Sequence, residues 1–388
     1  MNRKRKGLLG VASAALVTLT LAAGPADAAT QPGWWSTEGY TAANSGFNPN
    51  ESTLTAAKVP GLKLQRTIAS GQQYQAAPVL DGGRVFVYDA AAVTAYDEVT
   101  GKQVWRHEQP HASDNFAGRM VVTGGKLVVA WDYWPSGSLY GTWTWQVLDA
   151  ATGKLLVAPQ QTDDGTFQQL LVDKGVVMVS TAPRFSPEFL AYSLSDGKLL
   201  WTSYNPHQPV SANGRVLVRG WTWNGTRVSE LLDIHTGNVL FSYQNTWYDS
   251  LAASPDGKKI YVAPGHSLQA LDATTGKMSL IAPYVYPEFA ALTPTRIYVT
   301  TTKHQVVAVD LSTKKIAWTK SYGTGLLRPI VAGGVLYVTA SDGKLYALNP
   351  VNGSSLKTPA FAKSLYPPVV TGGRLYVTDG TKMSVYGN

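Results

Sequence analysis

One stretch of the sequence matches a metal-binding motif as text. His107, Glu108 and His111 form a His-Glu-x-x-His string, which on a helix places two imidazoles on one face to hold zinc, with the glutamate beside them as a base. Pro110 falls inside that spacing and would break the helical turn that the motif needs. The string also follows Gln103-Val104-Trp105, which has the pattern of a strand. We therefore expect a strand end here, and neither a metal site nor a catalytic residue.

A second string begins like a dinucleotide-binding loop, Gly323-Thr324-Gly325. Arg328 stands where the third glycine of that fingerprint belongs, and no helical pattern follows. We expect an ordinary loop without a nucleotide site.

Aromatic side chains offer a different chemistry, because tryptophan and tyrosine rings can stack on sugar rings or anchor a peptide. They are concentrated between positions 131 and 145, which we expect to form the longest loop, and they recur in later connections. The candidate ligand-binding residues are Trp131, Tyr133, Trp134, Tyr140, Trp143, Trp145, Trp221, Trp223 and Trp247. Packing is the alternative, which stays open for the 131–145 segment and is the expected role of Trp105, Trp201 and Trp318, since these three share one position of a repeat.

That repeat organises the whole chain and has two halves. One half is an apolar run, a glycine turn and a second apolar run, as in Val79-Leu80-Asp81-Gly82-Gly83-Arg84-Val85-Phe86-Val87. The other half is an apolar pair, an aspartate, a Gly-Lys turn and often a tryptophan, as in Ala95 to Trp105. Each half predicts two strands around a tight turn, because the aspartate can accept bonds from amides two residues on and the glycine can take a positive φ.

The repeat occurs eight times. From Asp97 the equivalent positions follow at spacings of 52, 44, 40, 39, 38, 39 and 38 residues. Four strands per unit of about forty residues are typical of a propeller blade. The last unit ends before its fourth strand, and 62–68 is a lone strand that could complete it. We predict an all-β, eight-bladed propeller over 62–388 that is closed by an N-terminal strand, and an extended arm over 29–61.

The repeat places any binding residues on one face. Its two internal turns stay short and share a face, whereas the connections between the second and third strands and between blades vary in length on the opposite face. Variable loops on a rigid scaffold are where binding residues collect.

The Asp-x-x-Thr-Gly-Lys-x-x-Trp turn, the Gly-Gly-x-apolar-Tyr-Val strand and the lead-in from Trp35 to Pro49 resemble the quinoprotein-like family of β-propellers with PQQ-type repeats. The resemblance covers about residues 34 to 388 and implies the fold. It also implies a possible pyrroloquinoline quinone cofactor with calcium, as in the family's dehydrogenases. Those enzymes tend to carry large inserts and a cysteine pair, and this chain is compact and has no cysteine. We expect no cofactor and keep a PQQ-dependent oxidoreductase acting on an alcohol or sugar as the alternative function.

The first 28 residues have the features of a secretory signal peptide. Four basic residues precede the apolar run from Gly7 to Ala23, and Ala26-Asp27-Ala28 fits a cleavage site. Removing this segment takes four basic residues and one acidic residue from the totals of 33 and 25, which leaves a net charge of +5. Such a mild, scattered excess does not indicate nucleic-acid binding.

The predicted product is a secreted, monomeric, non-catalytic propeller in the cell envelope or outside the cell. We expect it to bind an extracellular protein or a cell-envelope polysaccharide through its variable-loop face.

Overall fold

The computed structural model describes residues 34–69, 76–89, 91–108, 115–133, 142–162, 166–182, 188–203, 210–222 and 224–388. Within them the chain forms eight sheets. The predicted signal segment and the first residues of the arm lie outside these ranges.

The first four blades each contain four consecutive antiparallel strands. Their bounds are β3 (Val79–Asp81), β4 (Arg84–Tyr88), β5 (Ala92–Asp97) and β6 (Gln103–Glu108); β7 (Asn115–Thr123), β8 (Lys126–Tyr133), β9 (Thr142–Asp149) and β10 (Leu155–Thr162); β11 (Thr166–Asp173), β12 (Val176–Ala182), β13 (Glu188–Ser193) and β14 (Leu199–Ser203); β15 (Val210–Ser211), β16 (Arg215–Trp221), β17 (Arg227–Asp233) and β18 (Val239–Gln244).

The last four blades follow the same order, with two strands supplied from the N-terminal region. Their bounds are β19 (Asp249–Ala253), β20 (Lys259–Ala263), β21 (Leu268–Asp272) and β22 (Met278–Ala282); β23 (Pro287–Leu292), β24 (Arg296–Thr301), β25 (Gln305–Asp310) and β26 (Ile316–Ser321); β27 (Ile330–Ala332), β28 (Val335–Thr339) and β29 (Leu345–Leu348) with β1 (Phe47–Asn48); and β30 (Val369–Thr371), β31 (Arg374–Thr378) and β32 (Lys382–Gly387) with β2 (Lys63–Ala69).

The first strands of successive blades contact one another from β3 through β30, so they form an inner ring around a central channel. The second strands are buried on both faces, because a blade packs on each side, and they are therefore apolar almost throughout, as in Arg84–Tyr88. The fourth strands lie at the rim and alternate between exposed and half-buried positions, as in Val239–Gln244. The eight-bladed all-β fold predicted from the repeat is confirmed.

The ring closes between the chain's two ends, because β2 pairs antiparallel with β32 and supplies the outer strand of the eighth blade. Glu98 of the first blade reinforces this closure by accepting hydrogen bonds from Arg374 at 3.0 Å and from the Tyr376 hydroxyl at 3.1 Å. Arg66 on β2 donates to the Glu98 carbonyl at 2.7 Å. Charge-assisted bonds of this kind are among the stronger ones in proteins, so the seam is held by more than strand pairing.

The repeat tryptophans pack between blades, as their shared position predicted. Trp105, Trp201 and Trp318 donate their indole N–H to carbonyls of the next blade's turn, those of Ala150, Ile234 and Pro350, at 2.9–3.1 Å. Their rings lie against the turn glycines Gly153, Gly237 and Gly353, where an added Cβ would approach to 2.7 Å. This one contact therefore fixes both the spacing and the orientation of neighbouring blades.

The arm follows the inner ring instead of lying against an outer surface. Its backbone carbonyls accept hydrogen bonds from successive first-strand residues, from Trp35 with Leu80 in the first blade to Gly46 with Val331 in the seventh. The Asn48 side chain then donates to the Val370 carbonyl in the eighth blade at 2.9 Å. Including Ser36, Ala42, Ala43 and Ser45, the described part of the arm forms hydrogen bonds with seven blades, all but the third.

These contacts lie just before the short turns, so the arm covers the channel at the short-turn end. It is extended only in part, with turns at 37–40 and 41–44 and a 3₁₀ turn at Val59–Gly61.

Candidate functional site

The tryptophans of the second blade do not form an exposed loop. Trp131 is in β8 and Trp143 and Trp145 are in β9, because this hairpin is paired over eight positions, from Lys126 with Asp149 to Tyr133 with Thr142. All three side chains are fully buried, and Trp145 packs against Tyr192 of the third blade with ring centroids 5.1 Å apart. The expectation of a loop over 131–145 is therefore wrong at these positions, and their burial favours the packing alternative.

The remaining candidates of that segment are described only in part. Tyr133 ends β8, opposite Thr142, and nothing is described of its side chain. Trp134, Tyr140 and Trp223 lie outside the described residues.

Trp221 and Trp247, in contrast, meet at the variable-loop face between the fourth and fifth blades. Trp221 ends β16, and Trp247 lies in the connection that leads to β19. Their rings pack edge to face with centroids 4.7 Å apart, and Trp221 remains 50% exposed. The sequence could not indicate this meeting, because the residues belong to different loops.

Two arginines complete this group, which we call the Trp–Arg cluster (Arg219, Trp221, Arg227, Trp247). The Arg227 guanidinium lies 4.7 Å from the Trp247 centroid and 5.6 Å from that of Trp221. Arg219 lies 4.8 Å from Trp247 on the same strand as Trp221. Register explains the arrangement, since Trp221 is paired directly with Arg227 across β16 and β17.

The polar contacts leave one cation of the cluster available. Trp247 donates its indole N–H to the Gly220 carbonyl at 2.8 Å, which fixes its ring. Arg219 is paired with Asp249 at 2.7 Å, and burial lowers the pKa of its guanidinium while Asp249 opposes that shift. Arg227 is exposed, and within the described part of the chain no carboxylate forms an ion pair with it. The cluster can thus offer a flat apolar face beside an accessible positive charge.

A smaller group lies on the same face in the next two blades. His266 and Tyr286 pack with ring centroids 4.4 Å apart, and the Lys303 ammonium lies 3.9 Å from the Tyr286 ring. Tyr284 beside them is exposed. These histidine and lysine residues carry no sequence signal of their own, because each is a lone polar residue in a turn.

The aspartates of the repeat are occupied in their own turns. Asp97 accepts from the Val99 and Thr100 amides and from the Thr100 hydroxyl, and these bonds, those from Thr100 first, lower the pKa of its carboxyl. His107 is on β6 with Nδ1 3.1 Å from the Gly153 carbonyl, as the strand interpretation of the His-Glu-x-x-His string predicted. His111 lies outside the described residues.

The described channel does not match a calcium–quinone site. Calcium takes six to eight oxygen ligands, with carboxylates prominent among them. One cavity beside the arm offers the single carboxylate of Glu38 together with Arg119 and Arg328, and a second offers Asp173 and Asp256 with Lys174. Elsewhere in the described ranges no three His, Asp or Glu residues converge on one point. We derive no reaction step through such a cofactor.

Comparison with known proteins agrees with this architecture. The sequence model of the family described as outer membrane protein assembly factor BamB matches residues 54–156, 93–220, 146–284 and 268–356. The chain belongs to this BamB-type family of PQQ-like propellers. A search of curated protein sequences finds no match.

Solved structures similar to this BamB-type propeller include both an assembly factor and dehydrogenases. BamB from Moraxella catarrhalis is 18% identical with a TM-score of 0.63, over 84% of this chain and 98% of that one. A europium-containing methanol dehydrogenase is 14% identical with a TM-score of 0.70, over 93% and 99%. The quinohemoprotein alcohol dehydrogenase from Comamonas testosteroni is 16% identical with a TM-score of 0.65, over 93% and 82%. At these identities the likeness shows the fold alone.

Proposed function

We propose that this BamB-type propeller is a secreted, non-catalytic binding protein that holds an extracellular protein or a cell-envelope glycan on its variable-loop face. The observation that carries the proposal is the Trp–Arg cluster, where a half-exposed tryptophan stands beside an exposed arginine. Tryptophan and arginine dominate binding hot spots, because they combine a large contact area with directional polar groups.

The chemistry of the cluster favours an acidic ligand. A sugar ring or an aromatic residue can stack on Trp221, and Arg227 can pair with a carboxylate or phosphate next to it. The match to a family named for outer membrane protein assembly supports a protein partner. No helix in the described ranges is long and apolar enough to cross a membrane; export by the 1–28 segment is part of the proposal.

The experiment is retention of envelope components on immobilised protein. We expect Trp221→Ala combined with Arg227→Ala to weaken binding about thirtyfold, since each of the two contacts contributes roughly 1 kcal/mol. Ile316→Ala is the matched control, because Ile316 is 52% exposed on an outer strand of the sixth blade, and it should retain wild-type binding. The melting temperature of both variants should stay within about 2 °C of wild type.

Equal retention by the double variant and wild type would show that the cluster is not the binding site. Oxidation of an alcohol or sugar with a redox dye, after incubation with the quinone and calcium, would overturn the non-catalytic assignment and favour the oxidoreductase alternative.

A further inference from the structure

The channel contains a cavity that the proposed function does not use. It has a volume of about 330 Å³ and lies between the arm, from Thr37 to Asn44, and first strands on both sides of the ring. Arg119 and Gln169 come from the second and third blades, and Phe289 and Arg328 from the sixth and seventh. In an eight-membered ring those pairs of blades face each other, so the cavity spans the axis of the channel.

The cavity lies immediately on the variable-loop side of the arm. Val122, Leu292 and Val331 donate to the arm, and each lies three residues after a cavity residue, namely Arg119, Phe289 and Arg328. First strands run toward the short turns, so the cavity residues are one step farther from them. The arm therefore forms the floor of this pocket.

The lining is positively charged. Arg119 and Arg328 face the single carboxylate of Glu38. Burial lowers the pKa of the Arg328 guanidinium, with Glu38 opposing the shift from a distance. Across the described parts of the chain, no carboxylate comes within 4.0 Å of either guanidinium to form an ion pair.

Arg328 is held in place without being neutralised. With the Asn44 amide oriented so that its oxygen faces Arg328, that oxygen accepts from both terminal guanidinium nitrogens at 3.0 and 3.1 Å. The guanidinium also lies 5.4 Å from the Phe289 ring centroid. A guanidinium has five N–H donors, so several remain unused. A half-buried, fixed cation without an ion-pair partner is costly unless an anion accompanies it.

We propose that this pocket binds a small organic di- or tricarboxylate between Arg328 and Arg119. A carboxylate accepts two parallel bonds from a guanidinium, which suits Arg328 better than a spherical anion would. Gln169 adds an amide, and the volume is at the lower end of the range for small-molecule sites. The inference is independent of the Trp–Arg cluster, which lies on other strands.

Citrate is the probe, measured by calorimetry on the full chain at constant ionic strength. We expect wild-type protein to bind citrate, Arg328→Gln to weaken binding about tenfold or more, and Arg119→Gln to weaken it less. Arg215→Gln removes an arginine at the short-turn end of β16, outside both the pocket and the Trp–Arg cluster, and should bind citrate as wild type does.

Glu38→Gln gives a test in the opposite direction. Removing the one carboxylate of the lining should raise citrate affinity several-fold, a gain that a folding defect cannot produce. Wild-type protein that binds sulfate and phosphate as well as citrate, or that binds no citrate, would overturn the proposal. So would an Arg328→Gln variant with unchanged affinity. Retention of envelope components should be unaffected by Arg328→Gln, which separates this site from the proposed function.

Discussion

The two faces of the propeller are built on different principles. On the short-turn face the same solution recurs, with an aspartate capping its turn and a glycine receiving an aromatic ring from the previous blade. On the variable-loop face the connections vary in length, and there Trp221 and Trp247 meet from different connections. The repeated turns hold neighbouring blades together, whereas the variable connections leave side chains such as Trp221 exposed.

The contrast also separates tryptophans that the sequence cannot tell apart. Trp145 and Trp221 both occur in aromatic stretches near strand ends, but one is fully buried and the other half-exposed. Trp145 lies inside β9, where Tyr192 of the third blade packs against it, whereas Trp221 is the last residue of β16.

The largest effect should come from Trp145→Ala. Truncating a fully buried ring that packs on Tyr192 should lower the free energy of unfolding by about 3–5 kcal/mol. Trp221→Ala should cost less than about 1 kcal/mol. Urea denaturation of the two variants measures both values. Equal losses in the free energy of unfolding would contradict the assignment of Trp145 to packing and of Trp221 to the surface.

Two glycines with similar backbones test the short-turn face itself. Gly237 has φ +70°, and a Cβ there would lie 2.7 Å from the Trp201 ring. Gly225, in a loop of the other face, has φ +79° and no described atom within 4 Å. We expect Gly237→Ala to cost about 2–3 kcal/mol, from strain and overlap, and Gly225→Ala about 1 kcal/mol, from strain alone. Thermal unfolding of the pair compares them, and a Gly225 variant as unstable as the Gly237 variant would contradict the role of the ring contact.

The smallest effect concerns acid. Hydrogen bonds from the Ser312 hydroxyl, the Thr313 amide and the Thr313 hydroxyl lower the pKa of Asp310 to about 2, against about 3.9 in an unfolded chain. The stability that this carboxylate contributes is therefore fully present above about pH 4 and is lost as the pH falls toward 2.

Asp310→Asn should change little at neutral pH, because Asn349 fills the same position in the seventh blade and accepts from the Val351 amide at 2.8 Å. The variant should lose less stability than wild type between pH 4 and pH 2. An NMR titration that placed the Asp310 pKa near 4 would contradict the hydrogen-bonded turn.

The fold was predictable because its signals are local. The turn at Asp97, the glycine after it and the tryptophan at 105 occur within nine residues, and repetition reveals them even where single copies are weak. The closing strand followed from counting, since one unit was short and one strand was left over.

The site was predictable only in part, because it depends on neighbours distant in sequence. Trp221 and Trp247 were identified as candidates, but not their contact or the arginines beside them. Arg328 was noticed only as a departure from a glycine motif. The path of the arm escaped prediction because it is held mainly by backbone bonds, which any residue type can make.

The arm also has a consequence for how the molecule assembles. Asn48 bonds Val370 across 322 positions of chain, and the other arm contacts need inner strands that exist only once most blades are in place. Contacts so distant in sequence form late, because the chain between them must be ordered first. The arm, which precedes every blade in the chain, is thus among the last segments to dock, and its docking requires that the ring is complete.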